Sequence, residues 1–86
     1  SQLKALSGKF DSLPIQAVVT RLGHNDLLTI RLEKVNAQIG TNHWEERFRK
    51  IFKEICTVKV DRIEYLAPGT LKTDQKMIMD LRKWET

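Results

Sequence analysis

The chain has 86 residues, with 15 Lys and Arg against 11 Asp and Glu, a formal net charge of +4 and 41% hydrophobic content. That length holds one domain with a modest core, and that composition excludes a disordered chain. The cationic excess is spread rather than blocked, so it permits an anionic partner without requiring one. No run of 18 apolar residues offers a membrane span. The start, SQLKALSGKF, lacks the apolar core of a secretory signal and an initiating Met, so a fragment of a longer protein is expected. Cys56 is the single cysteine and cannot form an internal disulfide, which makes the cytoplasm the expected compartment. Its neighbours Phe52, Ile55 and Val58 mark it as a buried thiol rather than a nucleophile.

Leu3, Leu6 and Phe10 stand at roughly helical spacing, but Gly8 weakens the pattern, so a frayed helix and a loop through Pro14 are expected. IQAVVTR (15–21) is β-branched and apolar and reads as a strand covered on both faces. LGHND is turn chemistry. LLTIRLEKV (27–35) alternates, with Leu28, Ile30 and Leu32 on one face and Thr29, Arg31 and Glu33 on the other, which completes an antiparallel hairpin.

The clearest helix follows. Asn42 with Glu45 three residues on is a capping-box-like pair. Trp44, Phe48, Ile51, Phe52 and Ile55 form one stripe at helical spacing, which is core packing rather than a ligand box. Glu45–Arg49 and Glu46–Lys50 are i,i+4 pairs in the favourable order. TVKVDRIEYL (57–66) reads as a third strand whose parity slips near Asp61–Arg62, the mark of a bulge. Pro68–Gly69 ends it in a turn. A lysine-bearing loop and a short apolar tail close the chain. One amphipathic helix and one sheet face make a small two-layer α+β sandwich, with an antiparallel sheet and the helices on one face.

His24, His43 and Cys56 lack metal-site spacing, so no metal ligand is expected. No Gly-rich phosphate loop, nucleophile elbow or carboxylate pair with a matching base is present, and a complete active site does not fit this chain. RNA recognition on a sheet needs exposed strand aromatics, and the strands offer only Tyr65, so no nucleic-acid partner is expected.

The remaining stretch, YLAPGTLKTDQKMIMDLRKW (65–84), carries a resemblance. QAVVTRLGHNDLLTIRLE, the amphipathic helix and TVKVDRIEYLAPGTLKTDQKMIMDLR together resemble the C-terminal domain of phenylacetate–CoA ligase-type enzymes, members of the adenylate-forming (acyl-activating) superfamily. The likeness covers about residues 15–82, and its most specific parts are the APGTL turn and the DLR ending. The family pattern runs from that turn through Arg-Thr and Gly-Lys to Asp-x-Arg. Matched to it, Lys72 and Thr73 stand for Arg-Thr, Lys76 for the catalytic lysine, and Asp80 and Arg82 for the closing pair, with Gln75 in place of the glycine.

The resemblance implies a ferredoxin-like lid domain over residues 1–86, the N-terminal adenylation domain of the same protein being absent. Lys76 would serve adenylation, with Lys72, Thr73 and Arg82 on the nucleotide. The lid would then rotate for thioester formation, bringing its hairpin side toward CoA. ATP, CoA and a small carboxylic acid, aryl or related, would be substrates of the intact enzyme. Mg would accompany ATP in the absent domain, and the fragment alone would be inactive. Neither a membrane nor a nucleic acid is implied as partner. The alternative is a non-catalytic α+β regulatory or protein-interaction module, which an adenylation domain directly upstream would exclude.

Overall fold

The β-branched run expected as the first strand forms β1 (Ile15–Leu22), and the alternating segment forms β2 (Asn25–Glu33), in a computed structural model that describes residues 2–71 and 77–81. They pair antiparallel with Leu22 opposite Asn25, leaving a two-residue turn. Gly23 takes φ 65 there, the left-handed geometry that such tight hairpins require. Arg21 closes the hairpin on Asp26 at 3.2 Å. Ile30 and Leu32 are fully buried, as the alternation required.

Two helices cover one face: α1 (Gln2–Lys9) and α2 (Asn42–Cys56). Despite Gly8, α1 is complete, because Leu3 and Leu6 are buried in the core and tertiary packing outweighs the roughly 1 kcal/mol glycine cost. The stripe on α2 points inward, with Phe48 and Phe52 buried and Trp44, Ile51 and Ile55 packed against the core. The N-cap is Thr41 rather than Asn42. Thr41 has extended backbone angles and its hydroxyl oxygen accepts from the Trp44 N–H at 3.4 Å, one residue earlier than the expected capping pair. Of the two expected ion pairs, Glu45–Arg49 is formed at 3.5 Å.

The sheet differs from the expected antiparallel one. Two further strands, β3 (Arg62–Leu66) and β4 (Ile78–Asp80), give the order β3-β2-β1-β4, with β3 parallel to β2 and β4 parallel to β1. The cause is α2. It carries the chain back along the sheet, so the next strand starts at the end where β2 started and runs the same way. The third strand is also shorter than 57–66. Thr57, at φ 60, ends α2 by donating its N–H to the Lys53 carbonyl, and 57–61 is a connector. The parity slip near Asp61 marks the start of β3 rather than a bulge within it. Met77–Met79, expected as part of an apolar tail, enters the sheet instead: its edge strand is held by Ala17 N–H to Met77 O (2.7 Å) and Leu81 N–H to Val19 O (2.8 Å).

The core is therefore one layer between the helices and the sheet. The opposite sheet face carries Val18, Thr20, Thr29, Arg31, Arg62, Glu64 and Met79 around a shallow open groove of about 320 Å³. On it, Arg31 donates to Gln16 Oε1 at 2.8 Å and lies 3.6 Å from Glu64, a polar row crossing three paired strands.

Candidate functional site

Strand directions fix where the Pro-Gly turn lies. β2 and β3 end, and β1 and β4 begin, at one end of the sheet, so the turn after Leu66 is made there. Glu33, the last residue of β2, is 4% exposed. Its Oε1 accepts the Gly69 N–H at 2.8 Å and its Oε2 accepts the Leu71 N–H at 2.7 Å. Thr70 folds back on Ala67, its N–H donating to that carbonyl at 3.2 Å, and Gly69 takes φ 86, which a side chain would strain. One buried carboxylate thus holds the APGTL turn by both oxygens. Charge-assisted bonds to backbone N–H groups are the strong kind, and burial removes competing water.

Sequence reasoning placed Glu33 on the face away from the core, and the structure keeps that parity while burying it under the turn. No local pattern signals this, because its partners lie 36 and 38 residues away. Glu33→Gln keeps the shape but presents an amide –NH₂ to one of the two N–H donors. We expect a loss of about 1–3 kcal/mol, and hydrogen exchange at Gly69 and Leu71 faster than at the β1–β2 amides. Unchanged protection at both amides would refute the clamp.

Across the same sheet end, Met77 is fixed by its bond from Ala17. Leu71 and Met77 are thus two fixed points on either side of the lysine-bearing segment. Lys72, Thr73 and Lys76 between them, and Arg82 beyond β4, lie outside the described residues. Of the residues matched to the family pattern, Asp80 is described: it ends β4, exposed, in register with Val19.

Among the described residues, two titratable groups are shifted, Tyr65 on β3 and Cys56 at the end of α2. The Tyr65 hydroxyl donates to Glu45 Oε1 at 2.8 Å. Burial, that bond and the Glu45 charge push its phenol well above the usual range, with Arg49 opposing in part. Burial also pushes the Cys56 thiol up, which keeps it protonated and unreactive, in line with a core cysteine. Neither group is poised for acid–base or nucleophilic work at neutral pH.

No protein-family model matches the sequence, and no curated protein matches it. Solved structures do match in fold. A domain of phenylacetate–coenzyme A ligase from Bacteroides vulgatus superposes with a TM-score of 0.68 at 20% identity, over 95% of this chain and 82% of that one. A 2-hydroxyisobutyryl-CoA ligase, captured with 2-HIB-AMP and CoA in its thioesterification state, superposes with a TM-score of 0.64 at 20% identity, over 94% of this chain and 19% of the ligase. This chain thus corresponds to about a fifth of that enzyme's length. Among the described residues, no helix is long and apolar enough to cross a membrane. The chain has the α+β fold of a domain found in CoA ligases, as the resemblance implied.

Proposed function

We propose that residues 1–86 are the C-terminal mobile domain of an ATP-dependent, AMP-forming carboxylic acid–CoA ligase, acting in the cytoplasm on an aryl or related acid. The observation that carries this reading is the fold likeness to two CoA ligases over nearly the whole chain, joined to the APGTL-to-DLR pattern at the matching end of the sequence. In this reading Lys76 stabilises the charge that develops at the α-phosphate during adenylation. Lys72, Thr73 and Arg82 contact the nucleotide. The partner is an adenylation domain of the same protein, which holds ATP, its Mg and the acid. The domain then rotates so that thioester formation proceeds against a different face, a hinge motion of the kind that sequesters successive half-reactions.

The test uses the parent protein. Carboxylate-dependent exchange of pyrophosphate into ATP, followed by acyl-CoA and AMP release when CoA is added, is the expected result across a panel of aryl acids. A parent protein without an adenylation domain, or one with neither activity, would leave the interaction-module reading in its place.

A further inference from the structure

We infer that the groove between the C-terminal half of α2 and the 57–61 connector is a binding site for the phosphates of a phosphorylated nucleotide, in this enzyme those of CoA. The groove measures about 270 Å³ and is lined by Arg49, Lys50, Lys53, Lys59 and Val60, with no carboxylate in its lining. Arg49 is its fixed wall. Its Nη1 donates to the Val60 carbonyl at 2.8 Å, and its Nε lies 3.5 Å from Glu45, so the guanidinium is held against the connector. Lys50, Lys53 and Lys59 are exposed and make no ion pair among the described residues. The left-handed turn at Thr57 reverses the chain after the helix and so brings Lys59 to the same groove as Lys53.

Cations near a helix C-terminus are satisfied by the backbone carbonyls when they are one or two, since that end carries only about half a negative charge. Here Lys53 alone stands in the last turn of α2 and Arg49 is paired with Glu45, so Lys50 and Lys59 leave an excess of positive charge for an outside anion. Three flexible ammonium groups beside a planar guanidinium suit compact, multiply charged phosphates better than a single carboxylate. The lysine stems give an adjacent ring an apolar surface.

Position favours CoA over ATP as the source, and this step rests on the proposed function. Asp61 ties the connector to the hairpin strand: its carboxylate accepts the Leu28 N–H at 2.8 Å and its own N–H donates to Leu28 O at 3.0 Å. The groove therefore sits at the hairpin end of β3, and the Glu33-clamped turn at the other end, roughly 15 Å away at the rise of an extended strand. One end carries the adenylation loop, and the other is free to meet the second nucleotide in the rotated pose.

Lys53→Ala/Lys59→Ala removes two exposed charges without touching the core or residues 72–82. In the intact ligase we expect wild type to have a lower KM for CoA than for 3′-dephospho-CoA. In the variant the KM for CoA should rise about tenfold, the KM for ATP should stay unchanged, and the preference for the 3′-phosphate should shrink. A wild type indifferent to the 3′-phosphate, a variant that keeps its preference, or a rise in the KM for ATP alone would overturn the assignment. A titration of the 86-residue chain with adenosine 3′,5′-bisphosphate, followed by amide NMR, separates this from the ligase reading. Shifts at Lys50, Lys53 and Lys59 support the groove even if the parent protein forms no acyl-CoA, and shifts confined elsewhere refute it. Should the double variant fail to fold, Lys59→Gln alone carries the same kinetic test.

Discussion

Phe48→Ala is expected to unfold most of the chain at ambient temperature. Phe48 is fully buried at the centre of the helix layer, with its ring 5.1 Å from Trp44, 5.3 Å from Phe10 and 6.0 Å from Phe52 between centroids. It joins α2 to the loop after α1 and to the aromatic cluster that also reaches Tyr65. Truncating such a ring costs about 3–5 kcal/mol from lost burial and the cavity left behind. A chain of this size has on the order of 4–13 kcal/mol in total, and a small core lies toward the lower end of that range. Chemical denaturation should show a midpoint shifted to low urea with little change in slope, because the folded and unfolded states themselves stay the same. Phe52→Leu, which keeps most of the volume, should lose far less. A Phe48→Ala chain with an unchanged midpoint would remove Phe48 from the core.

The contrast between Phe48 and Glu33 shows what the sequence could reveal. Phe48 was legible because its partners Trp44 and Phe52 are one helical turn away, and helical spacing records that proximity in the sequence itself. The hairpin was legible for the same reason, with Leu28, Ile30 and Leu32 alternating beside a Gly-containing turn. Glu33 acts through partners on the far side of α2, and local patterns carry no trace of such a contact. The same holds for the parallel pairing of β3 and β4. Their residues spell a strand equally well in either direction, and only the path of α2 and the width of the sheet decide it. The cap moved from Asn42 to Thr41 because both side chains can serve. The choice was made upstream by the 36–41 turn, where Asn36 accepts from the Gln38 and Ile39 N–H groups. The assignment of Lys72, Thr73, Lys76 and Arg82 rests on a family pattern alone, since isolated polar residues obey no periodicity, and all four lie outside the described residues.

That pattern leads to the largest functional effect expected. In the intact protein, Lys76→Ala should lower the rate of acyl-adenylate formation by about 10²-fold or more, the loss typical of one preorganised electrostatic contact in a closed site. Lys76 directly precedes Met77 in the sequence, and the Met77 carbonyl accepts from the Ala17 N–H. Five residues back, Leu71 is tied to Glu33. The two half-reactions separate this role from a general loss of folding. Adenylation, followed by pyrophosphate exchange, should fall. Thioester formation from a supplied acyl-adenylate should be nearly unchanged if, as proposed, the domain has by then turned the lysine away. Lys72→Ala should be milder on adenylation, and Lys76→Arg should recover only part of the rate, since a planar guanidinium does not replace a compact ammonium at a tight site. Equal adenylation rates for wild type and Lys76→Ala would show that the segment between the tethers has no part in the chemistry. A parallel fall in both half-reactions would instead assign Lys76 to the stability of the domain.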